Sequence, residues 1–181
     1  MCYNPGLAAQ DKKLSDKLYA GIQSGAASLL FAENDKTLHK GSFTLGFNGG
    51  YIVNERVRIG VSLSGYLLDS YNNSFCDPGE GVSISNNLIT LQIFPVNGTR
   101  LFVNLGAGMA RYTNMHADAY SSSGKVAKFG AGYGWYLTGS NVLRLGGYYS
   151  WGNMSDVLAP GVSFINRHYG AASIEACFCF H

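Results

Sequence analysis

Hydrophobic and polar residues alternate one by one along the stretch SFTLGFNGGYIVNERVRIGVSLSGYLLD, which covers residues 42–69. Phe43, Leu45 and Phe47 are separated by small polar residues, and the alternation resumes with Val61 and Leu63 after a short interruption. Successive side chains of a β-strand point to opposite faces of the sheet. The pattern therefore predicts two strands joined by a tight turn, each with one apolar and one polar face.

The same alternation continues along the chain and predicts eight strands. They cover residues 17–28, 41–53, 56–68, 83–95, 100–112, 125–137, 142–151 and 167–180. Short connections alternate with long ones, the long ones being LLFAENDKTLHK, DSYNNSFCDPGEGV, TNMHADAYSSSG and GNMSDVLAPGVSFIN. Short turns on one rim and long loops on the other are typical of barrels that span an outer membrane. We therefore predict an all-β fold, an eight-stranded antiparallel up-and-down transmembrane β-barrel.

Composition agrees with this fold class. Charged residues make up 13% of the 181 residues, about half of the ~25% that is usual in soluble domains. The net charge is +2 and no basic run occurs, which argues against a nucleic-acid partner. No stretch approaches the 18 consecutive apolar residues of a membrane helix, whereas barrel strands give a much weaker signal.

The polar rows are expected to face the barrel lumen. They hold few charges, and an eight-stranded barrel is just wide enough for side chains to fill its interior. Inside such a barrel the charges would pair with one another. The predicted lumen polar network consists of Arg58, Lys128, Arg144, Glu175, Tyr66 and Tyr148.

The apolar rows are expected to face lipid, with aromatic residues near the strand ends forming an interfacial girdle. A soluble barrel would reverse the two faces, and it would carry many more Lys and Glu side chains in mid-strand. The predicted lipid-facing residues are Phe43, Leu45, Phe47, Val61, Leu63, Leu105, Phe129, Trp135, Trp151, Phe178 and Phe180.

Together these features resemble the small eight-stranded outer-membrane β-barrels, the family of OmpA barrel domains, OmpX, OmpW and opacity-type proteins. The resemblance rests on the eight alternating strands, the alternation of short and long connections, and the C-terminal strand ASIEACFCF, whose Phe180 is almost last. It implies a bacterial outer-membrane location with periplasmic termini and extracellular long loops. Residues 1–16 then form a periplasmic lead-in to a barrel over residues 17–181, and we expect that an export signal has been removed.

Three other features suggest chemistry. Cys177, Cys179 and His181 form a C-x-C-x-H run that could bind a soft metal, but a second ligand pair is missing and no metal or cofactor is expected. A disulfide between the two cysteines is disfavoured in an extended strand, whereas Cys2 could pair with either. The stretch GGYYSWGNM resembles lipid A deacylase barrels, but Tyr148 stands where that family's base would precede Ser150.

These observations favour a non-enzymatic protein with outer-membrane lipid as its surroundings and an envelope protein as a candidate partner. The first hypothesis is a structural or interaction role, in envelope integrity, adhesion or a larger envelope complex, through the extracellular loops or the N-terminal segment. The alternatives are a narrow porin or small-molecule conduit, and a lipid-modifying enzyme.

Overall fold

The computed structural model describes residues 17–33, 36–70, 81–96, 99–114, 120–137, 141–156 and 166–180. Eight strands account for nearly all of them. They are β1 (Leu18–Glu33), β2 (Lys36–Asn54), β3 (Val57–Ser70), β4 (Gly81–Ile93), β5 (Leu101–Asn114), β6 (Tyr120–Tyr136), β7 (Val142–Asp156) and β8 (Asn166–Phe180). Residues 1–16, Cys76 and His181 lie outside the described residues.

The strands form one closed antiparallel barrel in chain order, and β8 pairs with β1. The predicted all-β, eight-stranded antiparallel up-and-down fold is confirmed. Following hydrogen-bonded partners once around the barrel from Gly21 leads back to β1 at Phe31, ten residues further along the strand. This stagger fixes the strand tilt and gives a bore that side chains can fill. No helix long and apolar enough to cross a membrane occurs in the described part of the chain.

The two rims of the barrel differ. The short-turn rim carries the connections β2–β3, β4–β5 and β6–β7, and there β1 begins and β8 ends, with Ala20 paired to Phe180. The long-connection rim carries the other connections. The positions of the first and last strands agree with the predicted arrangement of the barrel ends.

The predicted strand ends are wrong at the long-connection rim. The sequence predicts a loop over residues 29–40, but β1 runs to Glu33 and β2 starts at Lys36. Likewise β6 starts at Tyr120 and β7 runs to Asp156, about five residues beyond their predicted ends. The polar composition of these segments suggested loops, but the backbone ladders of neighbouring strands continue, and strand propensity yields to such context.

Candidate functional site

An ion pair lies in the middle of the lumen. The Lys128 Nζ atom, on β6, lies 2.8 Å from each carboxylate oxygen of Glu175, on β8. Ser173 Oγ donates a further hydrogen bond of 2.8 Å to the same carboxylate, and Lys128 and Glu175 are only 7% and 2% exposed. Two charges can be held out of water when they pair and their remaining polar atoms are hydrogen-bonded.

Glycine makes room for this pair. Tyr148 lies on β7, between the strands of the ion pair, and the Lys128 Nζ atom is 4.6 Å from its ring centroid. A Cβ atom on Gly130, the β6 partner of Tyr148, would come within 2.3 Å of that ring. The absence of a side chain at residue 130 therefore leaves room for the tyrosine ring inside the barrel.

Two arginines occupy the lumen nearer the short-turn rim. The guanidinium groups of Arg58, on β3, and Arg144, on β7, each lie 5.7 Å from the ring centroid of Tyr19. Arg58 also lies 4.9 Å from the Phe94 ring centroid. Arg144 is buried, and its Nη2 atom has no hydrogen-bond partner. We call Arg58, Tyr19 and Arg144 the arginine stack; such contacts stabilise a cation by the negative face of the ring.

An apolar cluster, absent from the predicted lumen residues, fills the lumen nearer the long-connection rim. Its buried members are Ala27, Leu29, Phe31, Tyr66, Ile84, Leu88, Ala110, Tyr112, Val126, Met154, Tyr169 and Ala171. Tyr66 and Ser150 share a hydrogen bond of 3.0 Å, and Tyr169 Oη donates one of 2.7 Å to Asn86. The alternating pattern of the sequence could have identified part of this cluster, because Leu29 and Phe31 continue the inward row of β1. The predicted strand ends at residue 28 and therefore leaves both of them out.

The six predicted lumen residues all point inward, but they do not form one continuous set of contacts. Lys128, Glu175 and Tyr148 are together, Arg58 and Arg144 belong to the arginine stack, and Tyr66 lies in the apolar cluster. Their role as a functional network stays a prediction. Arg167 on β8 is fully buried and donates a hydrogen bond to Ser122, but it is not among the predicted lumen residues. It lies an even number of residues from Glu175 on the same strand, so the alternating pattern could have placed it in the lumen.

A small polar cavity of about 30 Å³ lies between the ion pair and the arginine stack. Its lining includes Gln23, Asn48, Gln92, Lys128 and Arg144. This volume suits about one water molecule. In the part of the chain that the structure describes, side chains thus fill the lumen along most of its length.

Two thiols lie in the lumen beside this cavity. Cys177 and Cys179 are buried and free, their Sγ atoms are 3.0 Å apart, and Asn48 Nδ2 donates to Cys177 Sγ at 3.2 Å. Among the described residues, no group of three His, Cys, Asp or Glu side chains could hold a metal ion. Cys2 and His181 lie outside those residues, so their predicted roles stay predictions.

The residues suggested by the deacylase resemblance do not form a nucleophile–base pair. Ser150 Oγ shares its hydrogen bond with Tyr66. His168 on the neighbouring strand β8 is the histidine whose side chain could act as a base, but it lies exposed on the outside of the barrel. A nucleophile needs a base within hydrogen-bond reach. In the described lumen the hydrogen-bond partner of Ser150 is the Tyr66 hydroxyl, which is a poor base at neutral pH.

The outer face is apolar around the middle of the barrel. All eleven residues predicted to face lipid lie on this face, ten of them exposed and Phe178 half-buried; Val61 and Phe129, for example, are 55% and 56% exposed. At the short-turn rim, Lys17 lies 5.6 Å from the Tyr51 ring centroid and Arg100 lies 4.6 Å from that of Tyr136. Towards the long-connection rim the outward residues of β4 to β8 become polar, whereas Leu30 on β1 and Leu67 on β3 remain apolar and exposed. The polar ones include Ser83, Ser85, Arg111, Lys125, Asn153 and His168.

No protein-family model matches the chain, and no curated protein matches it either. Solved structures do match. Neisserial surface protein A has 14% sequence identity and a TM-score of 0.55, and the match covers 87% of this chain and 95% of that one. Ail, the attachment invasion locus protein of Yersinia pestis, has 15% identity and a TM-score of 0.54 over 91% of this chain and 99% of that one. At these identities the similarity establishes a shared fold.

Proposed function

We propose that this chain, which has the fold of the small eight-stranded outer-membrane barrels, spans a bacterial outer membrane as a closed barrel with a structural or interaction role. The observation that carries the proposal is the combination of an exposed apolar outer face with a lumen filled by side chains. The first feature requires lipid around the barrel. The second leaves the surface beyond the membrane as the place for specific contacts.

The outer face supports a lipid environment. Ile89 is 70% exposed, and Leu63, Leu105, Phe129 and Ile174 are also exposed on neighbouring strands around the barrel. Soluble monomers rarely expose a continuous apolar patch larger than a few hundred Å². The apolar belt would end at the two membrane surfaces. Cations next to aromatic rings mark its end at the short-turn rim, and polar side chains mark it towards the long-connection rim.

The filled lumen supports a structural role over a conduit. Solute passing along the barrel axis would have to displace the apolar cluster, the Lys128–Glu175 pair and the arginine stack. Reconstitution of the purified protein into planar bilayers tests this directly. We expect no steady conductance, and sustained open events would instead favour the narrow-pore alternative.

The long connections are the candidate interaction surface. Loops on a rigid scaffold commonly carry the specific function of a fold. The name of one structural neighbour, the attachment invasion locus protein, refers to attachment, which supports adhesion as one form of this role. Envelope integrity, and partnership in an envelope complex through the loops or the N-terminal segment, are the other forms.

Membrane location and orientation can be tested with cysteine labelling. Two single-cysteine variants, one keeping Cys76 and one keeping Cys2, are expressed and treated on intact cells with a maleimide that cannot cross membranes. We expect labelling at Cys76, in a predicted extracellular loop, and labelling at Cys2 only after the outer membrane is opened. The reverse result would contradict the orientation, and recovery of the protein in the soluble fraction would contradict the membrane location.

The functional role is tested by replacing a loop. Residues 71–80 are exchanged for a Gly/Ser linker of equal length, and cells carrying this variant are compared with wild-type cells and with cells lacking the protein. Loss of adhesion with normal detergent resistance would assign the role to the loops. Normal adhesion with lowered detergent resistance in cells lacking the protein would assign it to envelope integrity. No difference in either measurement would refute adhesion through this loop and a role in envelope integrity.

A further inference from the structure

Two cationic side chains lie next to each other on the outer face, at the edge of the apolar belt towards the long-connection rim. Arg111 on β5 pairs with Ser123, and Lys125 on β6 pairs with Met109, so the two cations are diagonal neighbours across the β5–β6 ladder. Diagonal positions on one face of an antiparallel pair are about 7 to 8 Å apart, within reach of long side chains. Both cations are exposed, so both can contact one ligand outside the barrel.

Neutral polar side chains surround these cations. Arg111 Nη2 donates a hydrogen bond of 3.4 Å to Ser121 Oγ, which engages one of the five N–H groups of the guanidinium. Asn153 on β7 lies opposite Lys125. We call Arg111, Ser121, Ser123, Lys125 and Asn153 the basic patch.

The basic patch has no acidic neighbour among the side chains that the structure describes. The two carboxylates of that set are Glu55, at the short-turn rim, and Glu175, which pairs with Lys128 in the lumen. A surface that carries one sign of charge attracts ligands of the opposite sign. The chemistry of the basic patch therefore suits an anion.

An apolar recess continues from the basic patch into the apolar belt. Ala107 on β5 and Ala127 on β6 are paired, and the larger side chains of Ile89 and Trp151, 70% and 56% exposed, lie on either side of them in the barrel wall. Ala127 is two residues from Lys125 on the same face of β6. A hydrocarbon chain over the two alanines would run from the cations into the belt, so this surface complements an anionic headgroup joined to an apolar chain.

The polar edge is confined to one side of the barrel. Towards the same rim, β1 and β3 present Leu30 and Leu67 outward, 41% and 51% exposed. Uniform contact with lipid headgroups would favour polar residues on every strand, so the difference indicates a discrete site. Among anions, a phosphate group matches the paired N–H groups of a guanidinium, and an ammonium adds a compact positive charge.

We propose that the basic patch binds the phosphate group of a lipid headgroup, with an acyl chain of the same lipid lying along Ala107 and Ala127. The proposal rests on the membrane location proposed above and assigns a specific lipid site to one side of the barrel. Inorganic phosphate offers the same charge without the chain, so it would leave the recess uncovered.

Quenching of tryptophan fluorescence by brominated lipids tests the site. The chain has two tryptophans, and Trp135→Phe leaves only Trp151, beside the recess. This variant is folded into phosphatidylcholine vesicles that contain dibrominated phosphatidic acid or, in parallel, dibrominated phosphatidylcholine at the same mole fraction. We expect about a tenfold preference of Trp151 for phosphatidic acid, because each cation near a membrane surface attracts an anionic lipid.

Inorganic phosphate distinguishes the two sources of the anion. Added at the concentration of the brominated lipid, it should leave the quenching of Trp151 unchanged. Recovery of the fluorescence would show that the patch takes free phosphate without a chain, and would overturn the lipid assignment.

Matched charge variants assign the preference to the basic patch. Arg111→Gln/Lys125→Gln, in the same background, is expected to remove most of the preference for phosphatidic acid. Lys17→Gln/Arg100→Gln removes as many charges at the short-turn rim and should leave it unchanged. Equal quenching of Trp151 by the two brominated lipids, or the same preference in both double variants, would overturn the proposed site. Quenching by neither lipid would instead contradict the membrane location.

Discussion

The charged side chains of the lumen are stabilised in two different ways. Lys128 and Glu175 form a paired and hydrogen-bonded unit, whereas Arg58 and Arg144 lie against the ring of Tyr19. A direct ion pair is neutral as a whole and needs no further partner. The two arginines are stabilised instead by the negative face of an aromatic ring.

Breaking the central ion pair on one side is expected to destabilise the barrel. Lys128→Met leaves Glu175 charged and buried, and we expect a loss of about 3 to 5 kcal/mol in the free energy of unfolding. The double variant Lys128→Met/Glu175→Leu removes both charges and should recover most of that loss. Urea titration of the protein folded in lipid vesicles measures the free energy of unfolding of both variants. Glu55→Gln, in the exposed β2–β3 turn, is the control and is expected to stay within about 0.5 kcal/mol of wild type. Equal losses in the single and double variants would contradict this account.

Neighbouring glycines on opposite faces of the barrel are expected to differ in their tolerance to a methyl group. Gly130→Ala drives a Cβ atom into the ring of Tyr148 and the backbone of Gly147. The overpacking should cost about 1 to 3 kcal/mol. Gly147→Ala meets nothing within 4 Å and is expected to stay within about 0.5 kcal/mol of wild type in the same titration. Similar stability of the two variants would show that Tyr148 does not occupy the described position.

Each strand has to satisfy two different environments along its length. The outward row of β5 runs from Leu101 through Leu105 to Met109 and then changes to Arg111, while its inward row changes from Asn104 to Ala110 and Tyr112. On β5, polarity therefore exchanges sides near the long-connection rim. A strand that leaves the lipid can present polar residues outward, because its inward apolar residues still pack in the lumen.

A charge in the middle of the outer face distinguishes lipid from water. Leu105 lies between Leu91 and Phe129 in the barrel wall. If that face meets lipid, we expect Leu105→Arg to lower the free energy of unfolding by about 2 to 4 kcal/mol. Ser85 lies on the neighbouring strand β4 and also faces outward, but nearer the long-connection rim. Ser85→Arg should therefore lower the free energy of unfolding by no more than about 1 kcal/mol. Urea titration in vesicles measures the difference. Equal, small effects would mean that water surrounds Leu105.

Closure of the barrel makes the molecule one cooperative unit. β8 pairs with both β7 and β1, so no strand edge is left free in the described sheet. An open sheet can lose an edge strand locally, whereas a closed barrel must break two ladders to release any strand. The lumen side chains should therefore become accessible only when the whole barrel opens.

Thiol protection reports this cooperativity. With Cys2 and Cys76 replaced by serine, the buried Cys177 and Cys179 should resist alkylation in the folded protein and react together on unfolding. Mass spectrometry counts the labels at each urea concentration and gives the midpoint of labelling. We expect this midpoint to match the urea concentration at which half of the protein has moved from the folded to the unfolded band on unboiled gels. Cys179→Ser should show the same midpoint with one label fewer. Labelling well before that shift would indicate local opening of β8.

The number of strands, the barrel class and the two faces of each strand follow from the order of the amino acids alone. A period of two residues is a local property, and it repeats wherever a strand separates two environments. It placed Arg58, Lys128, Arg144 and Glu175 on one face. It could not say which of these side chains meet, because partners such as Lys128 and Glu175 lie on different strands and their distance depends on the register and stagger of the closed barrel.

The contacts of the apolar cluster and the arginine stack, and the length of the strands at the long-connection rim, depend on how the folded barrel brings its strands together. Leu29 and Phe31 lie in a segment whose composition suggests a loop, and only the paired strand β2 and the ring of Tyr112 across the lumen make it part of the wall. The physical reason is that pairing and packing across a barrel join residues distant in sequence. Local patterns record which face a residue occupies, and closure of the sheet determines which residues it meets there.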